Sequence, residues 1–196
     1  MAKYYTGVGS RETPTVILDL MREVGEMLAA RGWTLRSGGA KGADQAFELG
    51  WLDWYLNQKP MPKEPRAEIY LPWNGYEKHD EGACFGANIL PREEDAITQR
   101  ARMIASSIHP NWMACKQGAQ KMHTRNVFQV LGQDLNTPST FLIAYAKEDK
   151  HGNPKGGTAT AIRLAKENGV KVYNLYREDH LARIERKVRE WQREVV

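Results

Sequence analysis

Trp33-Thr34-Leu35-Arg36 runs directly into Ser37-Gly38-Gly39-Ala40-Lys41-Gly42-Ala43-Asp44, and this stretch decides the fold. The first part reads as a short strand, the glycines that follow as a tight turn, and a helix then extends to about Leu56. Upstream, Tyr4 to Val8 reads as a buried strand that ends in Gly7-Val8-Gly9-Ser10-Arg11. Thr13 resembles an N-cap and Pro14 a first helical residue, where the missing proline N–H would be unpaired in any case. Ile17, Leu20, Met21, Val24 and Leu28 then recur at helical spacing, and Gly32 ends that helix. Strand, helix and strand in this order favour a parallel sheet with a right-handed crossover.

Further along, Asn57 to Arg66 is rich in Pro and Lys and reads as a surface loop. Glu68 to Leu71 reads as a third strand. Residues 72–92 show no period and carry Trp73, Gly75, Tyr76, Gly82 and Gly86, the composition of a binding loop or lid. Helices are expected near Glu93–Ser107 and Lys116–Leu131. Thr140 to Ala146 is the best apolar strand, and a polar loop leads from it to Gly156-Gly157-Thr158 and another helix. Val170 to Leu175 forms the last strand. A C-terminal helix over about 178–194 carries Leu181, Ile184, Val188, Trp191 and Val195 at steps of three and four. Such a stripe packs on the domain's own core or forms a dimer seam. The expected fold is α/β: one Rossmann-like domain over 1–196, with an open, mainly parallel sheet of about five strands and helices on both faces.

Composition narrows the function classes. With 41% hydrophobic and 27% charged residues the chain is an ordinary globular protein. Lys and Arg number 28 against 24 Asp and Glu, a surplus of 4 that does not by itself imply nucleic acid. Cys84 and Cys115 stand far apart with no CxxC spacing, so neither a disulfide framework nor a structural zinc site is expected. His79, Asp80, Glu81 and Cys84 crowd one loop without a matched second pair; no metal and no cofactor are expected. No segment approaches a membrane span and the N-terminus lacks a secretory pattern, so the expected location is the cytoplasm.

In an open parallel sheet, ligands bind beyond the carboxyl ends of the strands. Three glycine-rich segments sit there by expectation: Gly7 to Arg11, Ser37 to Asp44, and Gly156 to Thr160. Glycine lets a ligand approach the backbone, and helix N-termini offer free N–H groups to phosphate. The expected binding residues are Gly7, Gly9, Ser10, Arg11, Ser37, Gly38, Gly39, Lys41, Gly42, Asp44, Gly156, Gly157, Thr158 and Thr160. The plainer reading is that these glycines only make tight turns. A dinucleotide fingerprint is absent, because Gly7-x-Gly9 is not followed by a glycine three residues later, and hydride transfer is not expected.

These three segments together resemble the Smf/DprA–LOG (SLOG) superfamily, whose small members occur in bacteria and phages. The resemblance follows element order over most of the chain, and Ser37-Gly38-Gly39-Ala40-Lys41-Gly42-Ala43-Asp44 is its most specific run. It implies a Rossmann-like nucleotide or nucleic-acid pocket, frequent homo-oligomers, and a bacterial cytoplasm, or a host cytoplasm for a phage protein. LOG-type members are phosphoribohydrolases whose glycine motif ends in a catalytic Glu. Here Arg163 holds that position and Ala159 that of the third glycine, which speaks against hydrolysis. Asp44 or Glu81 would have to serve as the carboxylate instead. DprA-type members bind single-stranded DNA and carry an Arg-Asn pair on a helix, which Arg125-Asn126 resembles; the pair would be ligand-binding by that resemblance, and the plainer reading is an exposed Arg beside a helix-surface Asn. Trp73, Tyr76 and Trp112 either stack on bases or anchor their loops. The leading expectation is a binder of a phosphate-bearing nucleotide, a signalling nucleotide included. An N-glycosidase and a single-stranded DNA binder are the alternatives.

Overall fold

In the computed structural model, which describes residues 3–194, six strands are present: β1 (Lys3–Gly9), β2 (Trp33–Ser37), β3 (Ala67–Tyr70), β4 (Asn88–Ile89), β5 (Phe141–Tyr145) and β6 (Lys171–Asn174). They form one all-parallel sheet in the order β4-β3-β2-β1-β5-β6. Six helices connect them: α1 (Thr15–Ala30), α2 (Ala43–Leu56), α3 (Ala96–Ile108), α4 (Gln117–Leu131), α5 (Thr158–Glu167) and α6 (Glu178–Glu194). The architecture is the open, Rossmann-like α/β arrangement expected. Val195 of the expected C-terminal stripe lies outside the described residues, as do both ends of the expected domain.

The sheet has one strand more than expected. β4 is a two-residue pairing of Asn88 and Ile89 with Ile69 and Tyr70, too short to show alternation in sequence. The first helix also starts later than expected. Pro14 is the N-cap, with its carbonyl taking the first helical N–H groups, while the Thr13 hydroxyl donates to the Ser10 carbonyl at 2.7 Å.

Two cores sandwich the sheet. One joins Tyr5 and Leu35 to Met21, Val24 and Leu28 of α1, Phe47 and Trp51 of α2, and Ile184 and Val188 of α6. The C-terminal stripe therefore packs on its own chain. The other joins Val8, Leu142 and Ala144 to Val127 and Val130 of α4 and Ile162 and Ala165 of α5. Alternation along β1 sends Tyr5 to the first core and Val8 to the second. Glycines bring α2 close on both sides. A Cβ on Gly7 would sit 2.6 Å from the Phe47 ring, and one on Gly50 would sit 1.9 Å from the Arg22 carbonyl.

The chain builds the sheet outward from β1 to the β4 edge, then returns through α3 and α4 to place β5 on the other side of β1. The order thus reverses between β1 and β5. In an open α/β sheet, the carboxyl ends at such a reversal frame a crevice.

Candidate functional site

A cleft of about 360 Å³ opens at that reversal. Its walls include Gly9, Ser10 and Arg11 after β1, Ala40 and Asp44 before and within α2, Gly156, Gly157 and Thr158 at the start of α5, and His123, Arg125, Asn126 and Gln129 of α4. The three glycine-rich segments therefore meet, as the sequence suggests. The helix that closes the cleft is α4.

Asp44 lies in the first turn of α2 and is fully enclosed. Its Oδ1 accepts the Gly9 N–H at 3.0 Å and its Oδ2 the Arg125 Nη1 at 3.3 Å. Burial pushes the Asp44 carboxyl above the usual carboxylate range, while Arg125 and the Gly9 and Ala40 N–H groups pull it back. Arg125 is itself buried, and its Nε has no hydrogen-bond partner among the described residues. Buried donors are normally bonded, so an enclosed guanidinium N–H without a partner is unusual.

α4 ties the turns together. The Asn126 side chain donates to the Gly157 carbonyl at 3.1 Å. With the Gln129 amide oxygen turned inward, it accepts from Arg125 Nη1 at 2.6 Å and from the Gly38 N–H at 2.8 Å, and its NH2 donates to Asn126 Oδ1 at 3.0 Å. His123 bonds through Nδ1 to the Thr160 hydroxyl at 2.9 Å. Burial, with His109 and Arg125 beside it, draws the His123 imidazole down to about 4, so the ring is neutral near pH 7.

The expected binding residues divide. Gly9, Ser10, Arg11, Asp44, Arg125, Asn126, Gly156, Gly157 and Thr158 line the cleft. Gly7 lies beneath Phe47, and the Ser37 hydroxyl donates to the Gly7 carbonyl at 2.6 Å inside the core. Gly38 is overlain by Arg125, and Gly39 by the His79 ring. Gly42, at φ +87°, is the N-cap of α2, where a Cβ would press on the Ser10 carbonyl at 2.7 Å. Thr160 is buried against His123. Lys41 is exposed and paired with Glu77 at 3.4 Å. Glu81 pairs with Arg92 at 2.6 Å and does not line the cleft.

Residues 72–92 fold back over one rim. Arg11 donates to the Tyr76 hydroxyl at 3.0 Å and pairs with Glu77 at 3.1 Å, and Tyr76 is a buried part of the cleft wall. His79 bonds to Glu48 of α2 at 2.9 Å, and that carboxylate draws its proton affinity up. Tyr76 thus anchors the segment, while Trp73 stays exposed and meets Tyr76 edge-on at 5.1 Å.

Sequence reading missed Met122, His123, Gln129 and Lys155 as cleft residues. A signal was present. Met122, Arg125, Asn126 and Gln129 recur at i, i+3, i+4 and i+7, a mostly polar stripe on a helix whose second half is buried all round.

No family model matches the sequence, and no curated relative does. Among solved structures, the chain is similar to DNA processing protein A from Helicobacter pylori, described by its single-stranded DNA binding mode. The identity is 12% and the TM-score 0.40, over 99% of this chain and 82% of that one. No helix among the described residues is long and apolar enough to cross a membrane.

Proposed function

We propose that the cleft binds the phosphate of a nucleotide or nucleotide-derived ligand. The observation that carries this reading is Gly157. Its backbone is helical (φ −62°, ψ −31°), and no atom lies within 4 Å of where its Cβ would stand. Neither conformation nor packing calls for glycine there, whereas close approach of a ligand to the α5 N-terminus does. Arg125, whose guanidinium borders the cleft, and Ser10, on the facing turn, supply further partners for the same anion.

Calorimetry with nucleoside 5′-monophosphates, ribose 5-phosphate and inorganic phosphate tests the reading on wild type and Gly157→Ala. Binding of phosphate-bearing compounds that is lost in the variant upholds it. Silence across the panel at millimolar concentration removes it. Chromatography of the same mixtures detects free base, which would move the protein to the N-glycosidase class with Asp44 as its cleft carboxylate.

A second reading, single-stranded DNA, is favoured by the rim. Arg11 and Lys155 border the cleft and Trp73 stands exposed beside Tyr76, a cation and stacking pattern suited to a strand. Oligonucleotide affinity that falls steeply with salt and is lost with Trp73→Ala supports it. Salt-insensitive binding of mononucleotides alone rules it out.

A further inference from the structure

Beside the cleft, three side chains from separate turns converge. His109 caps the end of α3, Cys115 follows a 3-10 turn at Trp112–Ala114, and His123 lies in the second turn of α4. One ligand-type atom from each lies within 4.8 Å of the other two. We infer that His109, Cys115 and His123 form a binding site for a divalent transition metal of the zinc class.

Distances bring the three donors within reach of one ion after small side-chain rotations. Zinc bonds of about 2.3 Å to sulfur and 2.05 Å to nitrogen at tetrahedral angles put sulfur and nitrogen about 3.6 Å apart. Cys115 Sγ stands 3.7 Å from His109 Nδ1 and 3.8 Å from its Nε2, and the His109 and His123 rings are 4.3 Å apart between centroids, so a turn of the His109 ring would aim one nitrogen at a shared ion.

The tautomers are also arranged. His123 uses Nδ1 for the Thr160 hydroxyl, so its Nε2 is left as the ligating nitrogen. A hydroxyl or carbonyl on the far nitrogen is how metal-binding histidines are commonly oriented. On His109, a long 3.3 Å contact from the Asn111 N–H keeps the lone pair on Nδ1, and a metal would replace that contact. Cys115 now makes a weak 3.6 Å contact to the Asn111 carbonyl, which deprotonation on metal binding would release.

The donor set fixes the metal class. One thiolate and two imidazoles suit zinc or cobalt(II) and disfavour magnesium and calcium, which prefer oxygen. Three protein ligands leave a fourth position for water, the pattern of an open site.

Anaerobic titration of the metal-free chain with cobalt(II) tests the site. One equivalent should give the visible bands of a tetrahedral complex and a near-ultraviolet sulfur-to-metal charge-transfer band. Cys115→Ser should abolish the charge-transfer band, and Cys84→Ser should leave it unchanged. In chelator competition, His109→Ala should raise the zinc dissociation constant by at least about 100-fold, and Thr160→Val by about 10–100-fold. His109 is half-exposed, so its variant reports on the metal even where Cys115→Ser folds poorly. An octahedral spectrum, or one that persists in Cys115→Ser or disappears in Cys84→Ser, overturns the inference. Phosphate binding plays no part in these readouts, so either site can fail alone.

Discussion

The Arg125 guanidinium occupies the space above Gly38: a Cβ on that glycine would fall 1.1 Å from Nη1. Residue 38 is glycine because a cation from α4 must lie flat on its backbone to reach Asp44. The turn and the helix are one construction, and its parts can be removed separately.

Removing the cation leaves Asp44 enclosed without its main counter-charge. Breaking one side of a buried pair typically costs about 3–5 kcal/mol, so Arg125→Met should lower stability by that order. Asp44→Asn should cost less, since its oxygen still accepts the Gly9 N–H. Urea unfolding checks the order; an Arg125→Met loss below about 1 kcal/mol would show that the pair does not hold the turn.

Two glycines give opposite results. Gly50→Ala drives a methyl group against the Arg22 carbonyl at 1.9 Å and should part α1 from α2, costing about 1–3 kcal/mol by overpacking. Gly157→Ala meets nothing and should leave the melting temperature within about 2 °C of wild type. Thermal unfolding of both variants decides; equal losses would refute the distinction between a packing glycine and an approach glycine.

The rim segment should loosen in alkali. The Glu48 carboxylate raises the His79 proton affinity, so the folded value lies above the unfolded one. The bond's contribution is then full below about pH 6.5 and fades as pH rises through the folded value. Hydrogen exchange over residues 72–92, corrected for intrinsic pH dependence, should speed up across that window. His79→Gln should remove the dependence, and an unchanged profile in that variant would assign the effect elsewhere.

Asn126 holds the Gly157 carbonyl through a single side-chain bond. Asn126→Ala should leave global stability within about 1–2 kcal/mol of wild type, the range for one lost hydrogen bond. Phosphate affinity should fall at least about tenfold as the α5 N-terminus loses its fixed position. Calorimetry on the folded variant gives the answer, and undiminished affinity would free Asn126 of a positioning role.

Cys84 should resist alkylation. Burial pushes its thiol up to about 11, so the nucleophilic thiolate near pH 7.5 is scarcer than in an ordinary thiol by on the order of 100-fold. Mass spectrometry of the chain treated with iodoacetamide should find Cys84 labelled far more slowly than a free cysteine standard. Comparable rates would contradict its burial.

Much of the sheet was legible in the chain because its central strands, β1 and β5, are short apolar runs. Tyr4 to Val8 and Thr140 to Ala146 carry that signal within themselves. β4 does not; two residues have no period, and their pairing depends on where residues 72–87 lead them. The site was legible in outline because each glycine-rich segment lies between a strand and the helix after it. Which glycines face a ligand was not. Gly7 and Gly38 look like Gly157 in sequence, and only the positions of Phe47 and Arg125 separate them. His123 and Cys115 were hidden because their meeting with His109 depends on the corner between α3 and α4.

α4 touches every turn of the cleft: Gly38 through Gln129, Gly9 by way of Arg125 and Asp44, and Gly157 through Asn126. During synthesis, the β1 and β2 turns leave the ribosome long before the helix that organises them, and Gly157 later still. A nascent chain halted before residue 117 would carry the glycine-rich turn from Ser37 to Asp44 with its aspartate uncompensated. The complete cleft therefore arrives late, with the last third of translation.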